Sequence, residues 1–494
     1  MKLYEALADE LAGLMASGVL RPGEKLPSVR QQQERRGVSP STVFQAYYQL
    51  EARGLIESRP RSGYYVAARR FAATPEPEVS RPDAASTLVD VSELVFEVLE
   101  ASRAPGNVPF GSAFPSPLLF PLDKLGRAVT ACMRHIDPWS TIADLPPGNA
   151  ELRRQIALRY QLDGLQVSPE DIVITNGALE ALNLCLQAVA RPGDTVLVES
   201  PSFYAALQAL ERIGLKAVEV ATHPREGIDL GALSTAIVEH KPSACWLMTS
   251  FQNPLGSLMP PEKKQALVEL LAAHEVPLIE DDVYGELYFG AQRPALAKRF
   301  DSKGLVMHCS SFSKCLAPGF RVGWAAAGRF ARQVERLKLT TSLAAAMPSQ
   351  LALAEYLGQG GYDRHLRQLR GALAGQQQQM LAAIEAHFPA GTRVTQPQGG
   401  YFLWVVLPES VDALELHRLA LGQGISIAPG PMFSAKRGFR HCIRLNYGHL
   451  WDQRQEAAIA TLGMLAKTGN PAGLAVPSDP QGQTLLRGGR WPGV

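Results

Sequence analysis

Leu3, Leu7, Leu11 and Leu14 recur at helical spacing, which predicts an amphipathic helix that Gly18 can end. The turn RPGEKLPS follows, and Ser28 is placed to cap a second short helix running to about Arg35. Gly37 breaks it, and Ser39 and Pro40 supply the N-cap and first residue of a third helix. That helix carries the apolar stripe Val43, Ala46, Tyr47 and Leu50 and stops at Gly54. Residues 55–58 and 64–66 read as two short strands around the loop 59–63. Residues 1–68 are thus expected to form one unit.

Residues 69–91 mix Pro, Ala, Ser and charge without periodicity, and are expected to be a linker. From 92 to 466 helical segments alternate with short continuous apolar runs at 172–175, 195–199, 244–249, 276–279 and 305–309. Such runs suit strands buried on both faces of a mostly parallel sheet. A long Gln-rich helical stretch beyond 340 leads into GGYFLWVVL and HCIRLNY, expected as strands of a smaller C-terminal lobe. The tail 467–494 is rich in Gly and Pro and is expected to be disordered.

A chain of 494 residues exceeds one ordinary domain. Its net charge of +2 excludes a nucleic-acid polycation, so any DNA contact needs a local basic surface. No apolar run reaches the roughly 20 residues that cross a bilayer. The acids in MKLYEALADELAG argue against a secretory signal. Cysteines at 132, 185, 245, 309, 315 and 442 form no CxxC pair, which favours reduced thiols in a cytoplasmic protein and no metal site.

Between residues 30 and 70 the chain has eight Arg or Lys against three acids. Ser41, Gln45 and Tyr48 lie opposite the apolar stripe of the third helix, and the 59–63 loop offers two arginines, Arg59 and Arg61. Helix, turn, second helix and basic wing is the layout that reads DNA. Taken alone, the same helices are equally a small scaffold with a charged face. The stretches RPGEKLPSVR and LEARGLIESRPRSGYYV resemble the GntR-type winged helix-turn-helix over the whole unit. That resemblance implies Arg30, Ser41, Thr42 and Arg61 at the DNA face. Pro40 stands where many relatives carry arginine, and Gln31-Gln32-Gln33 replaces a Glu-Leu-Ala stretch, which implies an altered operator contact.

In SFSKCLAPGFRVGW, residues 311–324, a lysine in a small-residue loop after a buried strand is placed to form an imine with an aldehyde cofactor. Arg321, Ser311 and Ser313 can hold a phosphate, as can the free N–H groups of a helix start at Gly177, Ala178 and Leu179. Asn253 can bond a phenolic oxygen. Asp281 ends a strand, with Tyr284 three residues on, and a carboxylate there can keep a pyridine nitrogen protonated. Phe203 or Tyr204 can stack on a ring. Each alone has an ordinary reading: a surface lysine, a turn, a helix cap, a core aromatic.

The series NGALEAL, ESPSFY, FQNPLG, EDDVY, SFSKCLAPGFRVGW and CIRLNYG resembles fold-type I aminotransferases across nearly all of 92–466. The resemblance implies pyridoxal 5'-phosphate as cofactor and Lys314 as the imine lysine. Asp281 would pair with the pyridine nitrogen, and Asn253 and Tyr284 would hold the ring hydroxyl. Gly177, Ala178, Ser311, Ser313 and Arg321 would bind phosphate, and Arg444 would take an amino-acid carboxylate. Both halves on one chain resemble the MocR subfamily of GntR regulators, though Ala143 stands where many relatives carry a tyrosine. The expected architecture is multidomain: an N-terminal winged helix-turn-helix, then an α/β fold-type I domain with a large mixed, mostly parallel sheet and a smaller lobe. The expected function is a homodimeric regulator that binds a double-stranded DNA operator and senses pyridoxal phosphate, an amino acid or an amine. The competing expectation is an active aminotransferase with a DNA-binding appendage.

Overall fold

The computed structural model describes residues 3–16, 19–20, 23–52, 55–59, 62–66, 74–102, 104, 106–134, 136–139, 142 and 145–468. The chain divides into two compact units, the first ending at Thr74 and the second beginning at Pro75.

In the first unit, helices α1 (Leu3–Ala16), α2 (Val29–Arg36) and α3 (Pro40–Ala52) precede a hairpin of β1 (Ile56–Arg59) and β2 (Gly63–Val66). Ser28 caps α2 through the Gln31 N–H while the Gln31 amide accepts from the Ser28 N–H, a reciprocal capping box. Gly37 ends α2 in the left-handed conformation at φ 64°. Ser39 Oγ accepts from the Thr42 N–H at the start of α3. Leu7, Leu11, Leu26, Val43, Ala46, Tyr47, Leu50, Ile56 and Val66 form one buried cluster. At about 1.5–3 kcal/mol per fully buried large side chain, that cluster rather than helix propensity holds so small a unit together. The Tyr47 hydroxyl, which would otherwise be stranded inside, donates to the Pro27 carbonyl at 2.7 Å.

The large sheet of the second unit runs in the order Thr87–Leu88, Lys216–His223, Thr195–Ser200, Ala244–Leu247, Leu278–Asp281, Val306–Ser311, Gly323–Ala326, Ile172–Thr175. The central pairs are parallel, and Gly323–Ala326 runs antiparallel to both of its neighbours. Thr87–Leu88, Lys216–His223 and Gly323–Ala326 stand outside the predicted apolar runs. Lys216–His223 reads KAVEVATH, whose buried Glu219 breaks a continuous run, and Gly323–Ala326 is short and partly exposed. The run predicted at 276–279 forms its strand two residues later, because buried Glu280 is held by Thr249 Oγ1 and the Ala297 and Lys298 N–H groups. The smaller lobe is an antiparallel sheet in the order Arg393–Val394, Phe402–Val406, Cys442–Asn446, Ala428–Pro429. The long helix Tyr362–His387 is the predicted Gln-rich segment.

The expected linker differs from what is seen. Residues 69–73 lie outside the described residues, but 75–91 belong to the second unit and run across both of its lobes. Pro75 O accepts from Val394 N at 2.9 Å, Glu78 pairs with Arg393 and Asp83 with Lys436 on the small lobe. Glu76 pairs with Arg225, Ser80 bonds Thr222 and Thr87–Leu88 pairs with the large sheet. Local periodicity misses this strap because its partners outside the strap lie more than 100 residues away in the chain. The final helix, Gln453–Thr468, extends past the expected end at 466, and the rest of the tail lies outside the described residues.

Candidate cofactor site and DNA-reading face

Most of the cofactor candidates sit at or just beyond the carboxyl ends of neighbouring strands of the large sheet, where open α/β sheets place ligands. Thr175 leads into Gly177, Leu278–Asp281 ends at Asp281, and Val306–Ser311 leads into Ser313 and Lys314. Asp281 is fully buried, and neither carboxylate oxygen has a hydrogen-bond partner among the described residues. Burial, then the adjacent charge of Asp282, pushes its carboxyl up to about 7. Lys314 is half-buried; Nζ donates to the Ala113 carbonyl at 2.8 Å and lies 3.7 Å from the centre of the Phe114 ring. Burial, then the charge of Arg444, brings its ammonium down to about 7, with Asp281 opposing.

Asn253 Oδ1 accepts from Arg444 Nη1 at 3.1 Å, leaving its Nδ2 buried and unpartnered among the described residues. Arg444 is fully buried; Nη2 donates to the Gly111 and Ser112 carbonyls at 2.7 and 3.2 Å. Tyr284 and Tyr401 pack edge to face at 5.4 Å, and burial raises the Tyr284 hydroxyl. Tyr204 faces Arg444 and packs on Phe433, while Phe203 is a partly buried neighbour at 4.9 Å.

The helix Ala178–Val189 starts at Gly177, φ 85° and ψ 168°, with no side-chain cap. Arg321 spans the mouth of this turn: Nη1 reaches Ser313 Oγ at 3.4 Å and Nη2 the Asn176 carbonyl at 3.2 Å. Ser311 Oγ accepts from the Ser313 N–H at 3.4 Å. Leu179 turns its side chain outward, 45 % exposed, so only its backbone can take part.

In the first unit, α3 buries Val43, Ala46, Tyr47 and Leu50 and exposes Ser41, Phe44, Gln45 and Tyr48. Thr42 is half-buried, sharing a 2.8 Å hydrogen bond with Ser39. Arg30 projects from α2 and pairs with Glu34 at 3.2 Å, both exposed. Pro40 occupies the first position of α3, Gln31 closes the α2 capping box, and Gln32 is buried. In the wing, Lys25 and Arg59 flank the Tyr65 ring at 5.9 and 4.2 Å. Arg61 and Ala143 lie outside the described residues.

Residues 3–66 match the model of bacterial regulatory proteins of the gntR family, and residues 138–461 match aminotransferase class I and II. The HTH-type transcriptional regulator YdcR of Escherichia coli K12 is 51% identical over 467 residues, 94% of this chain and 99% of its own. The chain belongs to the GntR regulators fused to an aminotransferase domain, the MocR arrangement. Its second unit is also similar to 2-aminoadipate transaminase of Thermus thermophilus, 32% identical over 375 residues, 75% of this chain and 93% of that one. Kynurenine aminotransferase of Pyrococcus horikoshii superposes with a TM-score of 0.70 at 28% identity, covering 77% of this chain and 95% of that structure.

The aminotransferase class I and II family of the second unit implies pyridoxal phosphate, and the residues present fit it. The unpartnered Asp281 carboxylate suits a protonated ring nitrogen, and the unpartnered Asn253 Nδ2 suits a ring oxygen. The bare helix start at Gly177, beside Arg321, Ser311 and Ser313, suits a phosphate. Two elements escaped the sequence analysis. Residues 111–114 supply the carbonyls that meet Arg444 and Lys314, and FGSAFP reads as an ordinary Gly/Pro loop. Behind Asp281, Asp282 meets Arg293 at 2.7 Å and His308 at 3.3 Å, while His308 meets the Tyr160 hydroxyl at 2.7 Å. The second acid of EDDVY was its sole signal.

Proposed function

We propose that this regulator acts as a cytoplasmic homodimer, and that an amino acid bound between Arg444 and Lys314 changes how tightly its winged helices hold the operator. The observation that carries this is a fully buried guanidinium beside the cofactor lysine, on one chain with a DNA-reading unit. Pyridoxal phosphate, when bound, supplies an aldehyde that captures primary amines covalently. The chain's own residues do the rest. Asp281 keeps a proton at the ring nitrogen, Asn253 and Tyr284 hold the ring oxygen, and the Gly177 turn with Arg321 anchors the phosphate. Arg444 orients a carboxylate. The carbonyls of Gly111 and Ser112 occupy Nη2 of Arg444 while its Nε has no partner among the described residues, so a carboxylate that takes Nε and Nη2 together displaces the 111–112 segment.

Such displacement gives liganded and free states different contacts, which a ligand-driven switch requires. The strap of residues 75–91 supports a route to the DNA unit. It is tied to both lobes, so a change in lobe spacing shifts Pro75, where the second unit begins. The dimer is supported by the stretch 118–145, which exposes Leu118, Leu122, Met133, Trp139, Ile142 and Leu145; fold-type I sites are completed across such an interface and paired readers match paired half-sites. Six free cysteines support a reducing compartment.

The test is operator affinity with and without an amino acid that shifts the cofactor spectrum, in the wild type and in Arg444→Ala. A coupling of about 1–3 kcal/mol changes affinity roughly 5- to 150-fold. A spectral shift in the wild type with unchanged operator affinity, DNA bending and transcription sinks the proposal. A normal response in Arg444→Ala redirects it to an amine or to pyridoxal phosphate itself.

A second reading, turnover as an aminotransferase, is favoured by Lys314, whose ammonium near 7 leaves a sizeable neutral fraction for proton transfer at neutral pH. Steady-state amino transfer with several amino acids separates the two.

A further inference from the structure

Phe44 is 53 % exposed and Tyr48 74 % exposed, one turn apart on α3, on the side away from the Val43, Ala46, Tyr47 and Leu50 stripe. A single exposed aromatic is unremarked on any surface. Two on the outer face of a recognition helix are different, because that face is pressed against a polar, charged surface when the helix enters DNA. A helical side chain leans toward the N-terminus of its helix, so the Phe44 ring covers the turn around Pro40 and Ser41. That is the end of a recognition helix which meets base edges. Ser41 and Gln45, both exposed, share this end with it.

The major groove offers an apolar side chain one apolar group among unmodified bases, the C5 methyl of thymine. The occupant is therefore set by chemistry. A protein partner is disfavoured because residues 30–70 carry eight Arg or Lys against three acids, a surface suited to phosphate. Gln45, adjacent in sequence, has the amide geometry that bonds adenine N6 and N7 together. We infer that Phe44 is a specificity residue of the operator contact: its ring packs on a thymine methyl, next to the base read by Gln45. This goes beyond the effector reading above and depends only on DNA binding by the winged helix. It also accounts for a departure in this chain, since Pro40 removes the side chain of a commonly basic position and shifts base reading one turn along α3.

The experiment starts by selecting operator sequences from a random duplex pool with the full-length, pyridoxal-phosphate-loaded protein. Each thymine of the selected site is then replaced in turn by deoxyuridine, which deletes only the methyl and keeps the pairing. Loss of one buried methyl corresponds to about a fourfold loss of affinity. The wild type is expected to lose about that much at one thymine of each half-site. Phe44→Ala is expected to bind the thymine operator more weakly and to be indifferent to uracil at that position. It should remain sensitive to a G·C pair at the position that Gln45→Ala relaxes. Phe44→Leu, still apolar, should keep part of the methyl discrimination. Matching melting temperatures and cofactor spectra show that the variants fold. The inference is overturned if no thymine is methyl-sensitive in the wild type, or if Phe44→Ala keeps the full sensitivity. An effector that fails to alter binding leaves these readouts intact, so failure of the two readings is distinguishable.

Discussion

Replacing Gly177 by alanine tests the phosphate cradle directly. At φ 85° and ψ 168° the backbone sits in a region open essentially to glycine, and holding another residue there costs about 1–3 kcal/mol. An added Cβ would lie 2.5 Å from Arg321 Nη2 and 3.0 Å from its Cζ. Those atoms end a flexible side chain, so the arginine swings away and the turn survives. What is lost is a charge-assisted contact to the phosphate, about 1.5–3 kcal/mol. The first cost acts with or without cofactor and lowers the melting temperature of the cofactor-free protein. The second acts only on the loaded protein and weakens pyridoxal phosphate binding by about 10- to 150-fold. Equilibrium dialysis and thermal melting, with and without the cofactor, separate the two. Because the alanine acts through Arg321, the double variant Gly177→Ala/Arg321→Ala should bind the cofactor little worse than Arg321→Ala alone. Additive losses, or an unchanged affinity in Gly177→Ala, would refute the reasoning. Gly323→Ala is the contrast: its Cβ meets the backbone of Gly177 and Ala178, which cannot move aside, so loss of folding is expected.

Other outcomes follow from the same geometry. Below pH 7 the Lys314 amine is protonated and cannot attack an aldehyde, so cofactor capture by the cofactor-free protein should accelerate as pH rises through about 7 and then level off; a midpoint near 10 in stopped-flow absorbance would contradict this. Borohydride reduction and peptide mapping should label Lys314, and a label elsewhere would remove it from the role. Arg293 pairs with Asp163 and meets Asp282 at 2.7 Å and Glu286 at 3.8 Å, so Arg293→Met should destabilise by about 3–5 kcal/mol. In the wild type, burial raises the Asp282 carboxyl but Arg293 and His308 outweigh it and hold it low, which stabilises at neutral pH and is lost in acid. Without Arg293 burial works against the charged carboxylate, and the variant should regain part of its loss as pH falls and Asp282 takes up a proton; calorimetry showing the opposite slope would count against the network. Arg30→Ala should lower the slope of log affinity against log salt by about one; an unchanged slope would mean that Arg30 is solvated surface.

By itself the sequence determined the local parts. Helical spacing of apolar residues, with Ser28, Gly37, Ser39 and Pro40 as punctuation, located all three helices of the first unit because caps and stripes are set by neighbours within a turn. Runs such as 172–175 and 305–309 announced buried strands for the same reason. Motif order also brought forward Lys314, Asp281, Asn253 and Arg444, since Asp281 ends a strand, Arg444 is central in one, and Lys314 and Asn253 sit in turns that follow strands, each legible from its own segment. What only the tertiary structure decided is who meets whom over long separations. The 75–91 strap lacks a periodic signal, yet it is ordered by Arg225, Thr222, Arg393 and Lys436, residues whose positions the fold alone sets. Residues 111–114 look like any loop until folding carries their carbonyls to Arg444 and Lys314, 201 positions away in the case of the lysine. The electrostatics belong to the same class. Asp281 and Lys314 are driven toward about 7 chiefly by burial, and Lys314 also by the charge of Arg444 brought in from another strand; low dielectric exists only once the chain has closed around them.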